Sequence, residues 1–461
     1  MKRRLFVKNI SLAIPATILL PGLLTSCKKD KLSDTDWAGK IIVIGAGAAG
    51  LYAGHLIRQY APNAQLQILE ASNQRGGRVR ELSGFADFPI ELGAEEVHGN
   101  KSSWYDIVKN ASGVNFVNDN NTTDYYVIDN LLKSEDDLTA DTDVIAGNVF
   151  VEQASNYNGA DQSVKAKADA DNLPQRVRPF VNAQTGNEYG TDYSILSING
   201  IKEEDQLWTA GNDNYAVANR SYISIMQETF ADAWDKVLLN TQVKKIDYTS
   251  STIVLTDQNN QTYTCDKLII TIPLAVLKAG DVEFVPVLPA SKTDAIANIG
   301  MGPGMKIILK FNNRFWANDL GSLYGSGNVP EIWYPSLGRG NTQLLTCFVM
   351  GNKAATLSAL GNSAKQSILA ELDDAFGNNA ATSSFVDARI MDWGKEPFIK
   401  GAYSFPTVGG GISKRQALAA KLNNNIFFAG EATHTEGHSG TVHGAVETGY
   451  RAVEEFIESV D

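Results

Sequence analysis

The chain has 461 residues, and 40 lysines and arginines against 52 acidic residues give a formal charge of −12. Such an acidic surface repels phosphate backbones, which excludes nucleic-acid binding through a broad basic face. Hydrophobic residues make up 43% of the chain, and a typical domain length of roughly 150 residues predicts two or three domains. The cysteines, Cys27, Cys265 and Cys347, are too few for a disulfide framework or a cysteine-built metal site, and we predict no metal.

Residues 1–27 have the pattern of an export signal, with four cations and no acid ahead of a short apolar run. This run is too short to span a bilayer comfortably. Arg3 and Arg4 open a stretch that resembles a twin-arginine signal, and the four residues ending at Cys27 resemble a bacterial lipobox, in which the cysteine is lipidated. An ordinary secretory signal with an incidental cysteine is the alternative.

We therefore expect an exported protein, periplasmic or at the cell surface, that a lipid on Cys27 anchors to a bacterial membrane. The polar residues 28–36 would form the tether between the anchor and the folded body. No other stretch reaches the roughly 18 consecutive apolar residues of a membrane span.

A nucleotide-binding pattern follows the tether. A buried-strand pattern, the run GAGAAG at 45–50, a helical pattern and a second strand pattern succeed one another and end at Glu70, 20 residues after Gly50. Gly45 permits a tight turn, Gly47 lets the backbone approach a pyrophosphate, and Gly50 permits close packing of helix and strand. The helix N-terminus favours phosphate, and Glu70 can bind ribose hydroxyls.

Two further segments indicate a cofactor longer than a simple dehydrogenase requires. In residues 75–78 (RGGR), the paired glycines let backbone lie against a cofactor and Arg78 can neutralise a phosphate, although a turn with two solvated arginines is the alternative. Residues 425–431 read as a buried strand ending at Glu431, with a helix from about Thr441.

These motifs and three other blocks resemble the flavin-containing amine oxidases, which include monoamine and polyamine oxidases, lysine-specific histone demethylases and L-amino-acid oxidases. The matching blocks are residues 45–50 with Glu70, Ala71 and 76–78; 91–99; 271–277; 304–316; and 428–432 with 441–445. The resemblance implies an α/β fold: a Rossmann-like FAD-binding domain (GR2 type) with an inserted α+β substrate-binding domain.

The resemblance also implies that both domains are discontinuous in sequence. The FAD domain would comprise residues 37–100, 235–290 and 400–461, and the substrate domain residues 101–234 and 291–399. Segment 118–172, rich in Asn, Asp and Ala, shows few strong periodicities. We expect it to be an irregular surface elaboration.

The resemblance implies FAD contacts from Gly45, Gly47, Ala49, Gly50, Glu70, Ala71, Gly77, Arg78, Gly93, Ala94, Glu95, Glu96, Val243, Trp393, Glu431 and Val442. Among these, Glu70 would bind the adenosine ribose and Trp393 would pack beside the dimethylbenzene ring. Monoamine oxidases attach their flavin to a cysteine nine residues after that tryptophan. Here the position is Ala402, so we predict non-covalent FAD.

Lys306 has two interpretations. In the strand pattern 306–311 it shares one parity with Lys310, as expected for solvent-facing lysines. The resemblance implies instead that Lys306 is the family's catalytic lysine, which holds a water near flavin N5 and assists reoxidation by O2.

The resemblance implies substrate contacts from His98, Tyr403 and Thr441. Tyr403 would form one wall of the aromatic pair around the amine, and Thr441 stands where the second aromatic usually lies, which widens the pocket. Glu95 and Glu96 would form an acidic mouth that attracts cationic amines. A solvated polar loop is the alternative for the two glutamates.

We therefore predict an FAD-dependent amine oxidase that oxidises a mono- or polyamine to an imine or aldehyde and reduces O2 to H2O2. One alternative is an L-amino-acid oxidase or a tryptophan-2-monooxygenase-like enzyme, which Glu96 disfavours because amino-acid oxidases place an arginine near that position. Another is a flavin-bearing lipoprotein without catalysis, supported only by Thr441.

Overall fold

The computed structural model describes residues 32–118, 122–325 and 327–460. The predicted signal, Cys27 and the first residues of the tether lie outside this part of the chain, so export and anchoring stay predictions. Within the described residues, no helix combines the length and apolar character needed to cross a membrane.

The first of two large sheets has five parallel strands made of apolar runs. In spatial order they are Val237–Leu238, Gln65–Leu69, Lys40–Ile44, Lys267–Ile270 and Ile426–Phe428. In the central strand, Ile41 and Val43 join the hydrophobic cluster on one face. Ile42 and Ile44 join the cluster on the opposite face. Because both faces are covered, residues 41–44 are all apolar and do not alternate with polar residues.

Two helices from opposite ends of the described chain cover one face of this sheet. They are Ala48–Tyr60, which follows the glycine loop, and Val442–Glu458 near the C-terminus. They approach closely at Gly449, where an added Cβ would lie 2.6 Å from the carbonyl oxygen of Ala49. This contact places the loop before Val442 beside the glycine loop.

Strands of the parallel sheet come from all three segments predicted for the FAD domain. A four-stranded sheet in the second segment comprises, in spatial order, Thr262–Cys265, Ile253–Asp257, Val243–Asp247 and Glu283–Val285. The pair Ile299–Met301 and Ser404–Pro406 joins strands assigned to different domains. The exact domain boundaries therefore remain predictions.

The second large sheet has seven strands, almost all antiparallel. In spatial order they are Phe385–Asp392, Gly304–Phe311, Gln343–Met350, Glu331–Trp333, Leu320–Tyr324, Thr123–Ile128 and Leu131–Ser134. The interpretation of Lys306 as a solvent-facing lysine is wrong, because it is only 3% exposed in the strand Gly304–Phe311. The side chains on the same face of the strand as Lys306 are covered by other residues of the chain. Ile308, two residues further along, packs against Phe85.

Segment 118–172 is regular in its described part, so the expectation of an irregular elaboration is wrong. It contains the hairpin of the last two sheet strands and the helices Thr142–Ala154 and Val164–Ala170. The first helix buries Phe150 but exposes Val149. Because its apolar residues are spread around the helix, the sequence shows no single apolar stripe.

The remaining elements connect these layers. The other α-helices are Ser103–Asn110, Arg178–Asn182, Ile198–Leu207, Tyr222–Thr229, Ala231–Trp234, Leu274–Lys278, Ala290–Asn298, Gly351–Leu360, Ala364–Phe376, Ala380–Ser384 and Ile412–Ala419. Short 3₁₀ turns lie at Asp136–Leu138, Gln175–Val177, Gly361–Ser363 and Glu431–Thr433, and a π-turn lies at Ala183–Asn187. Short strands form two small sheets, Glu81–Leu82 with Ile90–Glu91, and Val97–His98 with Asn214–Val217 and Phe116–Asn118.

Candidate active site

A cavity with a volume of about 280 Å³ begins at the carboxyl ends of the parallel strands and continues to the seven-stranded sheet. Of the 20 predicted site residues in the described part of the chain, 19 line this cavity. The predicted site residue that does not line it is Gly50. The cavity therefore brings together residues as far apart in sequence as Gly45 and Val442.

The glycine loop leaves open space along one wall. A Cβ added to Gly47 would find its nearest atom, the Gly76 carbonyl oxygen, 4.0 Å away, so a side chain there would project into the cavity. Gly50 acts differently, because an added Cβ would lie 2.0 Å from the carbonyl oxygen of Gly45. It therefore sets the distance between helix and turn and does not line the cavity.

Glu70 holds the glycine loop in place at the end of the cavity where Val243 also lies. One carboxylate oxygen accepts the N–H of Ala46 at 2.8 Å, and the other accepts the N–H of Ser72 at 2.9 Å. The side chain is almost fully buried. Glu70 therefore supplies negative charge beside the first helix N-terminus while remaining in the cavity wall.

A buried charge network surrounds Glu431. Its Oε1 is 2.8 Å from Arg78 Nη1, and its Oε2 accepts the Ser404 hydroxyl at 2.6 Å and the Gly440 N–H at 2.8 Å. Arg415 Nη1 donates to the same Ser404 hydroxyl at 2.7 Å. Burial alone raises the pKa of the Glu431 carboxyl, but Arg78, Ser404 and Arg415 together hold it below its ordinary value.

Glu204 completes this network from the helix Ile198–Leu207. Its Oε1 lies 3.0 Å from Arg415 Nη2 and accepts the hydroxyl of Ser439 at 2.6 Å. The network thus contains two arginines and two glutamates, and it joins elements assigned to both predicted domains.

Lys306 is the centre of a second buried charge cluster. Its ammonium group donates to the carbonyl oxygens of Glu91 and Gly93, at 2.9 and 3.0 Å, and to Glu95 Oε2 at 2.6 Å. All three N–H groups of an ammonium are therefore used. Arg339 Nη1 binds the other oxygen of Glu95 at 2.7 Å.

Glu95 is neither part of an acidic mouth nor of a solvated loop, so both interpretations are wrong for this residue. Burial acts most strongly on its carboxyl and raises the pKa, but Lys306 and Arg339 together lower it below the ordinary value. Two cations thus hold one buried anion. Glu96 lies nearer the solvent, with Oε2 3.8 Å from His98 Nδ1.

Glu91 belongs to the same cluster. Its Oε1 accepts the N–H of Tyr222 at 2.6 Å, whereas its buried Oε2 has no hydrogen-bond partner in the described part of the chain. Burial raises the pKa of this carboxyl to about 8, against smaller lowering effects of the Tyr222 N–H and Lys306.

The predicted substrate residues line the same cavity as Lys306. The hydroxyl of Tyr403 donates to the carbonyl oxygen of Glu188 at 2.7 Å, which fixes the ring in the wall. The hydroxyl of Thr441 donates to the carbonyl oxygen of His438 at 2.6 Å and accepts the N–H of Gly444 at 2.9 Å. It therefore caps the last helix.

A histidine cluster lies behind Thr441. Backbone N–H groups of Glu436 and His438 donate to His434 Nδ1, so the proton of this ring is on Nε2, which lies 2.9 Å from Glu447 Oε2. His438 Nδ1 lies 2.7 Å from the same oxygen. A metal ion on His434 Nε2 would force the proton onto Nδ1, against two N–H donors. These residues therefore form a hydrogen-bonded network that fixes the loop before Thr441.

Comparison with known proteins decides the family. A family model described as flavin containing amine oxidoreductase matches residues 48–457. The chain belongs to this family. As a flavin-containing amine oxidoreductase it is an enzyme and uses FAD, so the predicted family, enzyme class and cofactor are confirmed.

Individual relatives of this amine oxidoreductase agree with that assignment. Polyamine oxidase 4 of Oryza sativa subsp. japonica is 26% identical over 442 residues, covering 90% of this chain and 88% of the relative. Lysine-specific histone demethylase 2 of Homo sapiens is 24% identical, covering 93% of this chain and 55% of the demethylase.

The predicted α/β fold is also confirmed. The structure of cyclohexylamine oxidase from Brevibacterium oxydans IH-35A is similar, with a TM-score of 0.78, 19% identity, and coverage of 92% of this chain and 100% of that chain.

The residues present in this amine oxidoreductase fit FAD. Gly47 and Gly430, the latter with φ 110° and no atom nearer than 4.0 Å to an added Cβ, leave the backbone open toward the cavity at both ends of the chain. Glu70 stands at the ribose position of the motif, and Arg78 provides a cation. These residues would hold the dinucleotide. The position of the flavin ring beside Lys306 stays a prediction.

Sequence reasoning missed four charged residues of the two clusters: Glu91, Glu204, Arg339 and Arg415. No local motif marks the last three. For Glu91 a signal exists, because an acidic residue between Ile90 and Leu92 in an apolar run is expected to be buried.

Proposed function

We propose that this amine oxidoreductase is an oxygen-dependent oxidase of mono- or polyamines. An amine R–CH₂–NH₂ loses a hydride from carbon and a proton from nitrogen to give R–CH=NH, and O₂ takes up both as H₂O₂. Water then converts the imine to an aldehyde and ammonia, or to an aldehyde and a shorter amine when the substrate is secondary. The bound FAD supplies the hydride acceptor.

The charge of the cavity lining carries this proposal. Within the described residues, the lysine and arginine side chains that line it are Lys306 and Arg78, and each is paired with a buried glutamate. The acidic residues Glu96, Glu188 and Glu331 also line it. A substrate ammonium group is therefore attracted, whereas an amino-acid carboxylate would meet no arginine without an ion-pair partner.

The wall residues favour orientation over acid–base catalysis. Tyr403 is anchored through its hydroxyl and lines the cavity, so its ring is positioned to contact an alkyl or ammonium group. Asn214 Oδ1 can only accept hydrogen bonds, so His98 Nδ1 donates to it at 3.1 Å and the ring is held in one orientation.

Lys306 would serve the oxygen half of the reaction. Its ammonium charge lies in a buried site, where an electrostatic contribution to charge stabilisation is stronger than in water. Because its three N–H groups are already donated, holding a water would require one of these hydrogen bonds to be exchanged.

We propose that FAD is held without a covalent bond. Ala402 lines the cavity, whereas Cys265 and Cys347 are buried outside it. Acid precipitation of the purified protein is expected to release all flavin into the supernatant. Flavin that stays with the polypeptide would contradict this part of the proposal.

We also propose export and lipid anchoring through Cys27, on the sequence pattern of residues 1–27 alone. Cells producing the full chain are expected to carry it in the membrane fraction, and Cys27→Ser is expected to move it to a soluble fraction. Equal distribution of both forms would refute the anchor.

The substrate proposal is tested by measuring H₂O₂ release with monoamines, diamines, polyamines and L-amino acids. We expect turnover of amines and none of amino acids. Turnover of amino acids alone would favour the amino-acid oxidase. Flavin absorbance that amines fail to bleach without oxygen would favour a non-catalytic protein.

A further inference from the structure

The charge cluster around Lys306 contains one group whose charge is not fixed by a partner. Lys306 and Arg339 are each bound to Glu95, which leaves these three residues with one net positive charge. Glu91 is the fourth member. If its carboxyl is protonated the cluster keeps that positive charge, and if it is ionised the cluster is neutral.

The surroundings of Glu91 favour the uncharged form. The carboxyl is 2% exposed, accepts a single N–H from Tyr222 and leaves Oε2 without a partner in the described part of the chain. A buried carboxylate with an unsatisfied oxygen is costly, whereas a neutral carboxyl is much less so. The two neighbouring cations, Lys306 and Arg339, are bound to Glu95.

The charged and titratable groups that act on the Glu91 carboxyl come from several segments. Lys306 lies in the strand Gly304–Phe311, whereas Glu95 and Arg339 lie in loops. The helix that begins at Tyr222 contributes a buried phenol. Burial and the neighbouring Glu91 raise the pKa of that phenol well above its ordinary value, so it stays neutral. Glu91, whose pKa is raised to about 8, therefore changes its charge close to neutral pH.

We propose that Glu91 is a charge-setting residue for the flavin: uncharged, it leaves the Lys306–Glu95–Arg339 cluster with a net positive charge that favours the reduced flavin, and its ionisation removes that charge. Reduction adds negative charge to a flavin, so a positive cluster beside the ring raises the reduction potential and a neutral one lowers it. Glu91 is a positioning residue in this sense, because it acts through the charge of its neighbours.

The reverse effect follows from linkage. If the charge of Glu91 changes the equilibrium of flavin reduction, then reduction changes the proton affinity of Glu91 by the same factor. The reduced enzyme therefore holds the Glu91 proton more tightly than the oxidised enzyme. This inference rests on the proposed position of the flavin ring beside Lys306.

The test is the midpoint potential of the flavin in the holoenzyme, measured against reference dyes below and above the titration of Glu91. Glu91→Gln is neutral at every pH and keeps an oxygen for the Tyr222 N–H. At about pH 6 we expect wild type and Glu91→Gln to agree. At about pH 9.5 and at the same applied potential, we expect the ratio of reduced to oxidised flavin to be at least about threefold lower in wild type than in Glu91→Gln. If wild type and Glu91→Gln have the same midpoint potential at both pH values, the proposal is overturned.

Two further variants separate the possible failures. Glu81 lies opposite Glu91 in the paired strand but binds the hydroxyl of Ser83 near the surface, so Glu81→Gln is a matched control and should follow wild type. Lys306→Met removes a positive charge and should lower the potential at both pH values. If Lys306→Met does not change the midpoint potential, the proposed position of the flavin ring is wrong. If Lys306→Met lowers the potential but Glu91→Gln matches wild type at alkaline pH, the proposed role of Glu91 is wrong.

A test without substitution covers the case in which Glu91→Gln fails to bind flavin. The wild-type potential plotted against pH should then show an additional inflection near pH 8, where Glu91 titrates. A curve without that inflection would overturn the proposal.

Discussion

The two buried charge clusters beside the cavity have the same plan but different completeness. Around Glu431, the cations Arg78 and Arg415 are balanced by two carboxylates, and both oxygens of Glu431 accept hydrogen bonds. Around Glu95, the cations Lys306 and Arg339 both bind one carboxylate. The other carboxyl of this cluster, that of Glu91, has an oxygen without a hydrogen-bond partner in the described part of the chain. Each glutamate of the first cluster, called here the fixed cluster, is paired with an arginine. In the second, called the responsive cluster, Glu91 has no ion-pair partner within the described residues.

This difference matches the chemistry expected at each end of the cavity. A cluster that holds the backbone around a dinucleotide gains from a constant charge and rigid geometry. A cluster beside a ring that gains and loses electrons can gain from a charge that responds to protons. Burial alone therefore does not fix the charge of a carboxyl; a cation bound directly to it does.

The largest expected effect is the removal of the central anion of the fixed cluster. Glu431→Ala leaves Arg78 without its carboxylate partner and removes the anion that Ser404 links to Arg415. Breaking a buried ion pair from one side costs about 3–5 kcal/mol. We expect this loss in the free energy of unfolding measured with denaturant, together with loss of FAD from the purified protein. Asp387→Asn, at an exposed pair with Arg389, is the control and should cost less than about 1 kcal/mol. Equal effects would refute the distinction between buried and exposed pairs.

Removal of the central cation of the responsive cluster should affect turnover more than flavin binding. Lys306→Met is expected to retain FAD and to slow flavin reoxidation or turnover at least about tenfold, because a buried charge beside the reacting atoms is lost. Stopped-flow measurement of reoxidation by O₂ checks this. Lys310→Met, in the same strand but bound to the carbonyl oxygen of Phe85, should leave the rate unchanged. An unaltered rate in Lys306→Met would exclude its catalytic role.

Glu91 should make the stability of the protein depend on pH. Its pKa in the folded state, about 8, lies above its ordinary value of 4.5. Its contribution to stability is therefore fully present below the ordinary pKa and is lost as the pH rises through about 8. We expect Glu91→Gln to avoid this loss and to exceed wild type by about 2 kcal/mol at alkaline pH, the cost of a buried unsatisfied group. Parallel stability curves for the two proteins would contradict the interpretation.

The smallest expected effect concerns the hydroxyl that links Arg415 to Glu431. Ser404→Ala removes two hydrogen bonds but leaves the Gly440 N–H on Glu431. We expect a loss of about 1 kcal/mol in unfolding free energy. It should not change with pH near neutrality, because Ser404 is uncharged and the pKa of Glu431 is held below its ordinary value. Denaturant titrations at several pH values measure it, and a strongly pH-dependent loss would show that this cluster is not fixed.

Much of the fold and of the cavity lining was predictable from the sequence. The run at 45–50 and Glu70 predicted the strand, turn and helix around the glycine loop, since a glycine's conformational freedom acts within a few neighbouring residues. The sequence also predicted the strand that ends at Phe428 and the helix that Thr441 caps. The family resemblance then related these segments to one cofactor.

Other features were not predictable from local pattern. The parity of Lys306 and Lys310 predicted a solvent face, because periodicity reports alternation but not whether a second layer covers the polar side. Segment 118–172 shows no clear period because the helix Thr142–Ala154 has apolar residues around much of its circumference. Both errors have the same origin, namely that burial is decided by packing partners outside the segment.

The sequence by itself determined where the chain turns, which strands are buried and which residues approach a dinucleotide, because these properties depend on neighbouring residues. The tertiary structure alone decided the charge of the site. Lys306 meets Glu95 across 211 positions, and Glu95 meets Arg339 across 244. No local pattern encodes such pairings, since a side chain acquires its electrostatic environment only when distant segments exclude water from it.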